Sequence, residues 1–99
     1  MNTEFKPLVS IVIPTYNHAK FISKALKSVI DQTYKNWEAI IIDNESVDET
    51  YKLINNFNDS RIKYFKIFND GVIAKSRNLG IKEAKGDWVA FLDSDDWWT

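Results

Sequence analysis

The 99-residue chain has no cysteine, a single histidine, two prolines and three glycines. Without cysteine there is neither a disulfide framework nor a thiolate metal site, so zinc held by sulfur is excluded. The lone histidine, His18, has no second ligand near it in sequence and reads as a solvated residue. Neither sign of charge dominates: 13 Lys and Arg against 14 Asp and Glu leave a net charge of -1, which offers no basic footprint for nucleic acid. Long apolar runs are also missing, so no transmembrane segment is expected. Residues 1–7 are polar and lack an apolar signal core, which makes the cytoplasm the expected location. What remains, 44% hydrophobic and 27% charged residues, describes one small soluble globular domain.

Hydrophobic patterning divides the chain into alternating elements. Residues 9–13 (Val-Ser-Ile-Val-Ile) are β-branched and closed by Pro14, which predicts a buried strand that stops where proline removes a donor. Asn17 is a candidate N-cap for a helix with Phe21, Ile22, Ala25, Leu26, Val29 and Ile30 on one face and Lys20, Lys24 and Lys27 opposite. Residues 37–42 form a second apolar strand. Ser46 and Glu49 have capping-box spacing and open a second helix through Tyr51, Leu53, Ile54 and Phe57. A third strand is predicted over 62–68, and a third helix over 72–84, with Gly80 inside it and Gly86 as its C-terminal stop. The fourth strand, 88–92, ends at a cluster of carboxylates. Strand and helix alternating in this way predict an α/β fold, an open, mainly parallel, Rossmann-like sheet of four strands in the order 3-2-1-4 with helices on both faces.

Ligands of such sheets bind beyond the carboxyl ends of the strands. Those ends carry Thr15, Tyr16 and Asn17; Asp43 and Asn44; Asn69, Asp70 and Gly71; and Asp93, Ser94, Asp95 and Asp96. The opposite side receives Lys35, Asn36, Arg61, Lys85 and Asp87, which read as ordinary solvated connections. Three acids as close as Asp93, Asp95 and Asp96 repel one another unless a cation sits among them, and a hard divalent ion holding substrate phosphates is the simplest reason to keep them together. A solvated acidic turn is the alternative. With a metal, a tyrosine ring to stack on a base and Asp43 or Asn44 to read its edge, the crevice suits a nucleoside diphosphate. No glycine-rich loop follows the first strand, which argues against a dinucleotide fingerprint or a Walker-type site.

Val9-Ser10-Ile11-Val12-Ile13-Pro14-Thr15-Tyr16-Asn17, Ile42-Asp43-Asn44-Glu45-Ser46, Asn69-Asp70-Gly71, Arg77-Asn78-Leu79-Gly80, Ala84-Lys85-Gly86 and Phe91-Leu92-Asp93-Ser94-Asp95-Asp96 together resemble the nucleotide-binding half of the family 2 glycosyltransferases. The resemblance covers nearly the whole chain. It implies a GT-A fold, a UDP-sugar or related donor, Mn2+ or Mg2+, and inversion at the anomeric carbon by direct displacement. It also implies a role in polysaccharide or cell-envelope synthesis, with a glycan or lipid-linked glycan as acceptor and a full-length protein peripheral to the inner face of the membrane. Carried over by position, Pro14, Thr15 and Tyr16 cradle the base, with Tyr16 stacking on it. Asp43 and Asn44 stand where the family has two adjacent aspartates. Asn44 is a departure, although an amide oxygen still accepts the uracil imide proton. Asp93-Ser94-Asp95 matches the DXD signature: Asp93 meets the ribose, and Asp95 holds the metal with Asp96 sharing that role. Arg77 and Asn78 fall near the diphosphate or sugar. The catalytic base, by the same resemblance, is expected downstream of Thr99, so the 99-residue chain reads as a donor-binding half truncated after the DXD motif and inactive alone, with an exposed sheet edge open to self-association.

Blander readings stand beside these. Tyr16 could cap the core, Arg77 could pair with Asp70 or Glu83, and Trp97 and Trp98 suit packing against further structure. Asp48 and Glu49 suit the positive end of a helix dipole. An Asp-x-Asp after an apolar strand also opens the haloacid dehalogenase-like phosphatases, but Trp97 stands in the place of their threonine. A receiver domain would need an Asp where Asn69 stands and an acidic pair where Thr15 and Tyr16 stand. A nucleotide-binding module without catalysis is the remaining alternative.

Overall fold

The computed structural model of the chain describes residues 7–15, 19–44, 49–67 and 73–93. Four strands, β1 (Val9–Thr15), β2 (Trp37–Asn44), β3 (Ile62–Ile67) and β4 (Trp88–Phe91), alternate with helices α1 (Ala19–Ile30), α2 (Thr50–Asn55) and α3 (Ile73–Glu83). The strands form one parallel sheet in the order β3-β2-β1-β4, as the alternation predicts. Successive side chains of a strand point to opposite faces, and the two faces are buried differently. Ile11, Ile13, Ala39 and Ile41 pack with Ile22 and Leu26 of α1, while Val12, Ile40 and Ile42 pack with Phe65, Ile67 and Leu79 on the α3 face. Both faces are covered, so the central strands read as unbroken apolar runs rather than as alternation.

β1 does not stop at Pro14. It runs on to Thr15, with Pro14 level with Ile42 and Thr15 level with Asp43. The direction of the backbone groups explains this. The Val9 N–H bonds to the Asn36 carbonyl on the β2 side, whereas the carbonyls of Leu8 and Val12 accept from Asp87 and Leu92 on the β4 side. Alternation turns the imide nitrogen of Pro14 toward β4, whose pairing with β1 ends at Phe91, level with Val12. The missing donor therefore faces a place where no ladder remains.

Other departures are local. Phe21, expected on the buried face of α1, is 44% exposed, while Ile22, Ala25, Leu26 and Val29 carry the packing. α2 starts at Thr50, and Glu49 in its N-cap position makes no side-chain capping bond. Ser46 and Asn17, the expected caps, lie outside the described residues. Gly80 sits inside α3 because a Cβ there would stand 2.3 Å from Val12 Cγ1: the glycine lets α3 lie directly on β1. Gly86 lies beyond the end of α3 and is there for the same kind of reason, since a Cβ would meet Ser10 Oγ at 2.5 Å and the Leu8 carbonyl at 2.6 Å.

The amino-terminal side of the sheet is more than solvated connections. Glu38 is buried there, accepting hydrogen bonds from Ser10 Oγ at 2.5 Å, Lys63 Nζ at 2.7 Å and the Lys85 N–H at 2.7 Å. The Gly86 N–H in turn donates to Ser10 Oγ at 2.8 Å, so one carboxylate joins β1, β2, β3 and the α3–β4 connection. Burial raises the Glu38 pKa, but the bonds from Lys63, Ser10 and Lys85, together with the Lys63 charge, outweigh it and hold the carboxyl below the usual glutamate range. Arg61 lies 3.8 Å from the centre of the Trp37 ring, donates to the Lys35 carbonyl at 3.1 Å and pairs with Asp59 at 2.7 Å. Asp87 accepts from the Leu8 N–H at 3.0 Å.

Candidate functional site

The carboxyl edge of the sheet gathers the remaining polar groups. Thr15 ends β1 at 4% exposure, and its buried hydroxyl has no hydrogen-bond partner among the described residues. Beside it in register, Asp43 is 1% exposed. Asn44 closes β2 level with Ile67 of β3. Asp43 is held by the phenol of Tyr64, which donates to its Oδ2. Tyr64 lies on the same sheet face, two residues before Lys66, the register partner of Asp43. Its ring meets that of Tyr51 on α2 edge-on, with centroids 4.9 Å apart and planes at 63°.

On the other side of β1, β4 delivers Asp93 to the same edge. The Leu92 N–H bonds to the Val12 carbonyl at 3.0 Å, and the chain then leaves the sheet, with Leu92 buried and Asp93 exposed. Arg77 of α3 reaches across to Asp93 at 3.7 Å, and its guanidinium stands 5.5 Å from the centre of the Phe91 ring. Among the described residues this is the partner of Arg77, so the pair joins two of the sequence-derived site residues rather than Arg77 and Glu83. Both members are exposed, which makes the pair worth little to stability and leaves each available to a ligand. Asn78 is exposed on α3 beside Arg77, and Pro14 is half-buried.

The structure thus brings Pro14, Thr15, Asp43, Asn44, Arg77 and Asp93 to one edge of the sheet. Tyr16, Ser94, Asp95 and Asp96 lie outside the described residues. Among the described residues no group of three metal-ligating side chains converges. Sequence reasoning missed Tyr64, which it read only as part of a strand. The available signal was an aromatic with a polar tip, on the same face as an expected buried aspartate and one pleat behind it.

The family model described as Glycosyl transferase family 2 matches residues 10–99. The chain belongs to glycosyl transferase family 2. Over 91 residues it is 45% identical to the Escherichia coli UDP-Glc:alpha-D-GlcNAc-diphosphoundecaprenol beta-1,3-glucosyltransferase WfgD, covering 92% of this chain and 36% of that protein. Its fold matches S. aureus TarS 1-349 in complex with UDP, with a TM-score of 0.85 and 33% identity over 90% of this chain and 28% of that one. It also matches the mannosyltransferase PcManGT from Pyrobaculum calidifontis in complex with GDP-Man and Mn2+, with a TM-score of 0.81 and 25% identity over 95% of this chain and 29% of that one. The four-stranded sheet with its helices is therefore part of the GT-A fold. The chain spans about a third of the length of these similar proteins, and no described helix is long and apolar enough to cross a membrane.

Proposed function

We propose that residues 1–99 form the nucleotide-sugar-binding half of an inverting glycosyltransferase that takes its sugar from a UDP-sugar. The observation that carries the reading is the convergence of Thr15, Asp43, Asn44, Arg77 and Asp93 on the carboxyl edge of a sheet whose fold is shared with a protein solved in complex with UDP. In this reading Pro14, Thr15 and Tyr16 cradle the base, Asn44 accepts the uracil imide proton, and Asp93 meets the ribose. Arg77 and Asn78 face the diphosphate. Arg77 neutralises Asp93 while the site is empty and exchanges that carboxylate for phosphate oxygens when the donor arrives.

The donor chemistry of this edge fits a hard cation. The Asp93 carboxylate is exposed, and the groups that follow it in sequence, Ser94, Asp95 and Asp96, are all oxygen ligands. Asp95 and Asp96 would hold Mn2+ or Mg2+, which supplies charge neutralisation for a diphosphate leaving group when bound. We place the catalytic base, the acceptor site and the choice of sugar in the portion of the longer family members that this chain does not match. The acceptor, by analogy with the name of WfgD, is a lipid-linked glycan of cell-envelope synthesis, reached from the cytoplasmic surface of the membrane.

Isothermal titration of UDP, dTDP and GDP into the folded chain, with and without Mn2+, tests this reading. UDP binding that depends on Mn2+ and is lost in Asp95→Asn is the expected result. A folded sample that binds none of the three nucleotides refutes it, and hydrolysis of a generic phosphate ester would move the chain toward the phosphatase alternative.

A further inference from the structure

From the contact between β3 and the end of β2 we infer that Tyr64 is a positioning residue of the nucleotide site, acting through Asp43. The inference rests on the donor-site reading above and deepens it. Asp43 is itself too buried, at 1% exposure, to offer a broad surface to a ligand. It is nevertheless the last residue before Asn44, which is the group proposed to read the base, and it lies level with Thr15, which begins the proposed base cradle. Holding this carboxylate in one orientation would therefore steady the end of β2 at which Asn44 stands, beside Thr15 of β1.

Tyr64 fixes that orientation from β3. Its phenol donates to Asp43 Oδ2. A hydrogen bond from a neighbouring strand restricts the side chain more tightly than exchanging water would. Tyr64 is in turn held by the edge-on contact with Tyr51, so α2 supports the same residue. The line of support runs from Tyr51 to Tyr64 to Asp43 and ends at the base-reading position. The diphosphate end lies on the far side of β1, at Arg77 and Asp93, and receives nothing from this line. Loss of the phenol should thus weaken recognition of the nucleoside and leave recognition of the diphosphate alone.

The experiment uses the 99-residue chain with Mn2+ and titrates two probes, UDP and inorganic pyrophosphate. Tyr64→Phe keeps the ring and its contact with Tyr51 and removes only the hydroxyl. UDP affinity is expected to fall about tenfold while pyrophosphate affinity stays within about twofold, as for the loss of an orienting partner. A purely structural hydroxyl would lower the urea midpoint without changing the ratio of the two affinities, so that ratio is the deciding readout. Tyr51→Ala, at a residue 56% exposed and therefore tolerant of truncation, provides the second variant and should shift the ratio in the same direction by a smaller factor. A ratio unchanged in both variants overturns the inference and leaves the donor site standing. A parent chain that binds neither probe removes the donor site, and the inference with it.

Discussion

Replacing Glu38 by glutamine should be a strongly damaging isosteric change, although it lies on the side of the sheet away from the proposed site. The carboxylate accepts from Ser10 Oγ, Lys63 Nζ and the Lys85 N–H, at 2.5, 2.7 and 2.7 Å. Bonds to an ionised acceptor contribute about 1.5–3 kcal/mol each, and an amide offers only one acceptor oxygen in their place, turning an NH2 toward a donor. The Lys63 side chain is 40% exposed, so its share is screened and counts for less. Release of the charge from a buried position offsets part of the remainder, which leaves a net loss of about 2–4 kcal/mol. For a domain of this size that corresponds to a fall of about 10–25 °C in Tm.

The pH dependence gives the reasoning a second handle. The Glu38 pKa is lowered in the folded chain, so its contribution is fully present above the ordinary glutamate pKa and is lost as pH falls through the lower folded value. Urea denaturation followed by circular dichroism at neutral pH and at successively lower pH should show the gap between parent and Glu38→Gln closing only in acid. A gap under about 0.5 kcal/mol at neutral pH, the level of an ordinary surface substitution, would refute the argument. So would a gap that stays constant down to the acid unfolding limit.

Three further outcomes are expected. Gly80→Ala drives a methyl into Val12 at 2.3 Å and should cost about 1–3 kcal/mol in urea denaturation despite the better helix propensity of alanine, with Val12→Ala recovering part of the loss. Arg77→Ala should leave stability within about 0.5 kcal/mol, because the pair with Asp93 is exposed, yet weaken Mn2+-dependent UDP binding measured by calorimetry. β4 leaves one sheet edge unpaired among the described residues and exposes Trp88, Val89 and Phe91, at 64%, 40% and 43%. Sedimentation velocity should accordingly detect association that rises with concentration and is suppressed by Val89→Lys.

Much of the fold is legible in the sequence. The order 3-2-1-4 follows from alternating elements and the handedness of their crossovers, and the polar residues at the strand ends mark the edge on which the site is proposed. What escaped depends on which way single groups point. Pro14 looked like the end of β1 because a proline lacks a donor, but only the pairing of neighbouring strands tells which side that donor would have served. Gly86 looked like a helix stop, whereas its role is set by β1, far away in sequence. Phe21 met the helical period yet sits at the edge of the buried face. Glu38 and Tyr64 were hidden for a shared reason: each occupies a strand position where periodicity asks only for burial, and each does its work through a partner on another strand.

The junction at Glu38 also bears on how the chain assembles. Ser10 and Glu38 are 28 residues apart, whereas Ser10 and Gly86 are 76 apart. Closing the longer loop costs only about 0.9 kcal/mol more than the shorter one, since loop entropy grows with the logarithm of length. So small a difference sets no order of assembly: β4 can join β1 nearly as readily as β2 does. The Glu38 carboxylate thus ties a contact near in sequence, with Ser10, and a distant one, with the Lys85 N–H, into one junction at nearly the same entropic cost.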